Sequence, residues 1–129
     1  MNFPENLKYT REHEWVSVDG NTATIGVTDF AQQELGDIIY LDLNAAPEGT
    51  NVAKDAIFGS IEAIKVVSDL FSPISGEVIA YNDKLNQNPE LVNSDPYVAG
   101  WIAIIRMVDF TELDDLLSAE EYKALIGIK

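Results

Sequence analysis

Hydrophobic and polar positions alternate along the first half of the chain in short runs, each closed by a turn signal. Residues 7–18 open polar and pass into a strand, with Trp15 on the core side and Val16 and Val18 at its apolar positions. Asp19-Gly20-Asn21 reads as a hairpin turn, and the β-branched run from Thr22 to Val27 as the returning strand. Thr28 to Gly36 reads as a short helix, with Asp29 and Gln32 spaced as a capping box and Gly36 as the stop. Phe30 and Leu35 would hold that helix on the sheet. A further strand is expected from Asp37 to Leu43, then a surface loop from Asn44 to Thr50.

The middle of the chain, Gly59 to Val78, reads as two β-type runs that meet at one lysine. Ile61 and Ala63 lead in; Val66, Val67, Leu70 and Phe71 lead out; Pro73, Ser75 and Gly76 break the run before Val78. The sequence has only eight Lys and Arg residues, so Lys65 is conspicuous. A cation within an apolar β run belongs at a hairpin tip, where its ammonium stays hydrated. Such a lysine is a handle that another enzyme can modify.

Beyond Tyr81 the segment from Asn82 to Asn93 is polar, anchored by Leu85, Leu91 and Val92, and Trp101 to Val108 reads as the last strand. Thr111 is expected to cap a short helix, and Ser118 with Glu121 to form a capping box for a second over residues 119–126. Leu113, Leu116, Leu117, Tyr122, Leu125 and Ile126 would give these helices one apolar face toward the sheets. A faint repeat runs underneath: Gly36-Asp37-Ile38-Ile39 returns as Gly76-Glu77-Val78-Ile79, and Gly59-Ser60-Ile61 as Gly100-Trp101-Ile102. Offsets of about forty residues suggest two similar β units, neither able to bury its apolar face alone.

Composition narrows the function. The 129 residues suit one domain spanning residues 1–129, with a core over about 7–108 and C-terminal helices over about 109–126. A net charge of −14 leaves no basic footprint for nucleic acid and none for an anionic membrane surface. It suits partners with basic docking faces. Cysteine is absent, so any thiol chemistry must arrive on a cofactor. The N-terminus has neither a basic start with an apolar signal core nor an arginine-rich transit pattern, and the expectation is a monomeric cytoplasmic protein. His13, the single histidine, lies outside any His-Glu-x-x-His pattern and reads as a surface or packing residue.

Four strings carry a family resemblance. Glu62-Ala63-Ile64-Lys65-Val66-Val67-Ser68-Asp69, followed by Ser72-Pro73-Ile74-Ser75-Gly76-Glu77-Val78, resembles the lipoyl-lysine segment of the glycine cleavage system H protein family. Ala63 stands where that family usually has serine, and Val66 where it has alanine. Tyr9 to Val16 resembles the family's N-terminal signature. Ile25 to Gln32 with Leu35-Gly36-Asp37, and Leu91 to Tyr97 with Gly100-Trp101-Ile102, resemble two more. The resemblance reaches from Leu7 to about Tyr122. Val98-Ala99 replace an acidic-glycine pair, and the Asn44–Thr50 loop lacks the usual leading proline.

This resemblance implies a mainly β fold with short helices: a biotinyl/lipoyl-carrier-like flattened β-barrel (barrel-sandwich hybrid) of two pseudo-twofold β units, with peripheral C-terminal helices. It implies lipoate bound covalently to Lys65, which would add one further negative charge to the chain. It implies a non-catalytic carrier of glycine catabolism and one-carbon metabolism. That carrier takes the aminomethyl group of glycine from the pyridoxal phosphate enzyme glycine decarboxylase to a tetrahydrofolate-dependent aminomethyltransferase. Dihydrolipoyl dehydrogenase, an FAD enzyme, then reoxidises the arm, and lipoylating enzymes install it. By the same analogy the arm's groove includes Glu14, Ile25, Val27, Leu35 and Asp69, while Glu62, Ser68 and Asp69 present the hairpin for lipoylation. Glu14 and Asp69 suit a protonated aminomethyl nitrogen, although both equally fit solvent-facing acids.

Other readings are an H-like protein serving mainly in lipoate relay, a lipoyl domain of a 2-oxoacid dehydrogenase complex, a Schiff-base enzyme using Lys65, and an unmodified acidic interaction module. An exposed Lys65 disfavours the Schiff base, because such lysines are usually buried to lower their pKa.

Overall fold

A computed structural model describes residues 1–128. Alternation sets the framework. β1 (Lys8–Tyr9), β2 (Glu14–Asp19) and β3 (Thr22–Val27) form an antiparallel meander, with Asp19 paired to Thr22 around a Gly20-Asn21 turn. Gly20 takes φ 62, which its missing Cβ makes inexpensive. Helix α1 (Asp29–Leu35) follows, then β4 (Ile38–Asp42), the two-residue β5 (Asn51–Val52), β6 (Ile57–Ala63), β7 (Val67–Phe71) and β8 (Gly76–Tyr81). A short 3-10 segment (Asp83–Asn86), α2 (Leu91–Ser94), β9 (Ala103–Met107), a second 3-10 segment (Phe110–Asp115) and α3 (Ala119–Leu125) complete the order.

The strands assemble as a six-stranded sheet, β1-β2-β3-β9-β8-β5, and a three-stranded sheet, β4-β6-β7. Their inner faces share a core that includes Val16, Ile25, Phe58, Ile61, Leu70, Ile74, Val78 and Ile105. Neither sheet could hide that apolar surface alone, and mutual burial is the main favourable term. The repeat is visible in the pairing. β4 pairs with β6 and β8 with β9, and each ladder slips register at the repeated string, between Ile38 and Tyr40 in one and between Val78 and Ala80 in the other. Equivalent irregularities at equivalent positions match the flattened barrel of two similar units.

Several local expectations change. The cap of α1 is Thr28, whose Oγ1 accepts from the Ala31 N–H; Gln32 bonds the Asp29 side chain instead. The first C-terminal helix is a 3-10 segment capped by Asp109, which accepts from the Thr111 N–H, so Thr111 is not the cap. Val18 is 42% exposed because β2 runs out past the sheet's covered part. Leu125 is also 42% exposed, and Tyr122 enters a second cluster, with Phe3, Leu7, Tyr9, Trp15 and Ala119, rather than the barrel interior. In that cluster Tyr122 stacks on Tyr9 with ring centroids 4.9 Å apart. The Ser118–Glu121 capping box is present on α3 as the spacing requires.

Candidate functional site

The lysine sits where the apolar runs meet. In the β6–β7 ladder Glu62 pairs with Val67, leaving a tight turn over residues 63–66 with Ile64 and Lys65 at its centre. The Ala63 N–H donates to the Val66 carbonyl at 2.8 Å and closes the turn. The Ile64 N–H donates to the Asp37 carbonyl at 3.3 Å, tying the turn to the chain just before β4. Two backbone bonds therefore fix the bend while Lys65 stays exposed, beside an Ile64 that is itself 67% exposed.

A groove starts beside this tip. Gln33, Glu34, Leu35, Gly36 and Asp37 line it together with Ile64 and Lys65. Glu34 and Leu35 also line an adjoining groove of about 350 Å³, which runs between α1, the β1–β2 connection and β7. Its apolar wall is Val27, Phe30, Ala31, Leu35, Ile61 and Leu70; its polar groups are Glu12, His13, Glu14, Glu34, Ser68 and Asp69. Glu34 and Leu35 border both, so the two grooves lie side by side along α1, one at Lys65 and one at Glu14, and together form the furrow considered below.

Glu14 is the unusual member. It starts β2 opposite Val27, and the residue is only 2% exposed. Its Oε2 accepts the Phe71 N–H at 2.8 Å, and the Thr10 hydroxyl lies 3.5 Å from Oε1. Burial pushes its pKa up to about 8, against the lowering effect of the Phe71 N–H. It is therefore not a solvent-facing acid, and near neutrality it holds a proton. His13 precedes it with φ 68, a left-handed backbone that turns the chain sharply into β2. Burial lowers the His13 pKa against the opposing fields of Glu12 and Glu34.

The other residues named from sequence fall in three places. Val27, Leu35, Ser68 and Asp69 line the furrow, Asp69 as an exposed acid. Ile25 does not; it is 1% exposed, belongs to the core between the sheets, and receives the Ile102 N–H on its carbonyl. Glu62 lies on β6 between Tyr40 and Val67 on the hairpin. Sequence reasoning missed Glu12, His13, Phe30, Ala31, Glu34, Ile61 and Leu70 as lining. For α1 a signal existed, since Ala31, Glu34 and Leu35 are spaced to share one helix face. For Glu12 and His13 none did, because an irregular connection has no period. No cluster able to hold a metal ion occurs among the described residues.

Two sheets of a flattened barrel, with one rigid bend that lifts a lysine into solvent, define the biotinyl/lipoyl-carrier class of fold. The glycine cleavage H-protein family model matches residues 7–128. A glycine cleavage system H protein of Bacteroides fragilis is 48% identical over 98% of this chain and 99% of its own length. One of Anoxybacillus flavithermus is 50% identical over 98% of each. The crystal structure of a glycine cleavage system H protein from Mycobacterium marinum superposes with a TM-score of 0.85 at 31% identity, covering 97% of this chain and 99% of that one. The chain belongs to the glycine cleavage H-protein family.

Proposed function

We propose that this chain is the lipoyl-bearing, non-catalytic carrier of the glycine cleavage system, modified on Lys65. The observation that carries the reading is the pair of adjoining grooves, sharing Glu34 and Leu35, between an exposed, backbone-pinned Lys65 and the buried Glu14. The donor set suits a lipoyl arm: an apolar wall for its methylene chain and carboxyl groups at the far end for a polar load. When attached, lipoate supplies a dithiolane that accepts the aminomethyl unit derived from glycine. The residues of the chain do the rest. The pinned hairpin holds the attachment point away from the barrel so that one arm reaches several active sites, raising its effective concentration at each. Val27, Ala31, Leu35 and Leu70 shelter the arm from water between visits. Glu14 and Asp69 face the load, Glu14 from the groove wall and Asp69 from its rim.

The partners in this reading are glycine decarboxylase, the tetrahydrofolate-dependent aminomethyltransferase, dihydrolipoyl dehydrogenase and a lipoylating enzyme that reads Glu62, Ser68 and Asp69 on the hairpin. The reading takes the chain as one cytoplasmic carrier domain. No helix among the described residues is long and apolar enough to cross a membrane. The test is intact mass followed by peptide mapping after expression with lipoate and a lipoylating enzyme, alongside rescue of glycine cleavage in cells that lack their carrier. One lipoyl group on Lys65 together with rescue supports the proposal. An unmodified chain, or a modified one that relays lipoate without rescue, overturns it.

A further inference from the structure

The aromatic cluster beneath the C-terminal helix touches the furrow at one point. The Tyr122 hydroxyl of α3 lies 2.9 Å from His13 Nδ1 and 2.8 Å from Thr28 Oγ1. Both Thr28 and Tyr122 are fully buried, and Thr28 Oγ1 already accepts the Ala31 N–H at 3.1 Å. Three proton arrangements satisfy both contacts; when His13 Nδ1–H and Thr28 both donate to Tyr122, the Tyr122 proton has no acceptor among the described residues, which leaves two. In one, Thr28 donates to Tyr122 and Tyr122 donates to His13 Nδ1, so every buried proton is used. In the other, His13 Nδ1–H donates to Tyr122 and Tyr122 to Thr28, and the Thr28 proton has no acceptor among the described residues. Buried hydroxyls are rarely left unpaired, so the first arrangement wins.

That arrangement fills the only lone pair on the Nδ1 side of the ring and places the imidazole proton on Nε2, the ring nitrogen without a protein partner among the described residues. Phe30, 5.1 Å away between ring centroids, and Tyr122, 5.8 Å away edge-on, hold the ring in the groove wall. Burial favours the neutral ring against the fields of Glu12 and Glu34, and the Tyr122 hydroxyl is pushed up to about 12, so it stays a donor at ordinary pH.

Resting on the carrier reading above, we infer that Tyr122 is a positioning residue for the groove: through Thr28 and His13 it sets an imidazole that offers an N–H, and no free base, to whatever lies there. The consequence is chemical. A neutral imidazole with an open lone pair would accept a proton from a loaded amine beside Glu14, whereas an Nε2–H ring cannot. The C-terminal helix therefore governs the chemistry of a site it does not line.

The test begins with imidazole nitrogen NMR on the unlipoylated chain at neutral to mildly alkaline pH. The expected result is one tautomer, protonated on Nε2, retained in Thr28→Ser and replaced by a mixture in Tyr122→Phe. That second variant keeps the ring stacked on Tyr9, so the fold has little reason to fail. A proton on Nδ1 in the parent chain, or an unchanged tautomer in Tyr122→Phe, overturns the inference. The second measurement is the lifetime of the aminomethyl-loaded arm, expected to be severalfold shorter in Tyr122→Phe than in the parent. An equal lifetime overturns the positioning role while leaving the carrier reading intact. Failure of Lys65 to accept lipoate would strike the carrier reading instead, and the tautomer measurement does not depend on it.

Discussion

Glu14 accepts the backbone N–H of Phe71 at 2.8 Å, so a carboxyl on β2 of the larger sheet caps an unpaired donor on β7 of the smaller one. One side chain thus joins the two sheets beside the groove and contributes its buried end to it. The bond satisfies an amide that would otherwise be orphaned, while burial opposes ionisation of the same group.

The first prediction follows from that opposition. A carboxyl raised from 4.5 to about 8 on folding contributes stability that is fully present below the unfolded value and lost as pH rises through the folded one. The window is therefore about pH 4.5 to 8, and ionising Glu14 in place costs on the order of 4–5 kcal/mol. Glu14→Gln keeps an acceptor for Phe71 and removes the titration. Denaturant midpoints measured against pH on the unmodified chain should converge near the acid end and separate in favour of Glu14→Gln toward pH 8. Parallel curves would show that Glu14 does not titrate in this window.

Lys65→Arg should abolish the mass gain on lipoylation. It should leave thermal stability within about 0.5 kcal/mol of the parent, because the side chain is exposed and the turn is held by backbone bonds. A large loss of stability would mean that the lysine also braces the fold.

Leu35 lines both parts of the furrow and is only partly buried. Leu35→Ala should cost about 1–2 kcal/mol, less than a fully buried leucine. In the lipoylated chain it should also speed reduction of the dithiolane by a small water-soluble phosphine. Unaltered reduction kinetics would argue against an arm lodged along this wall.

Gly76 shows how closely the sheets are built. A Cβ there would fall 2.0 Å from the Arg106 carbonyl oxygen, a backbone atom in the β8–β9 ladder that cannot move aside cheaply. Gly76→Ala is expected to cost about 3 kcal/mol or more, read as a drop in the denaturant midpoint.

Ser118→Ala removes one half of the capping box at the start of α3. The expected loss is about 1 kcal/mol. Faster amide exchange should concentrate in α3, and the tautomer signal of His13 should broaden because Tyr122 rides on that helix. A loss spread evenly over both sheets would contradict this local account.

Much of this was legible in the residues. Alternation placed β2, β3 and the hairpin around Lys65; the Ser118–Glu121 spacing announced α3; the repeated Gly-acid-aliphatic strings pointed to two similar units. The N-cap positions read less well. Asp29 and Thr111 are plausible caps by type, yet Thr28 and Asp109 hold those places, because a cap is chosen by where the backbone turns and only neighbouring φ and ψ reveal that. Ile25, expected in the groove, was misjudged for the same kind of reason, and for Glu14 the groove position was legible but its burial was not. A strand's period says which residues share a face, but not which part of that face the opposite sheet covers.

By itself the sequence determined the β framework, the acidic surface, the lack of native thiols and the single lysine at a bend, since these depend on local spacing and composition. Only the tertiary structure decided that Glu14 is buried and bonded to Phe71, that α1 and β7 wall a groove adjoining the one at Lys65, and that Tyr122 reaches His13. Those contacts join residues as far apart as 109 positions. No local pattern encodes them, because they exist only once burial of the shared core has brought the two sheets and the C-terminal helix together.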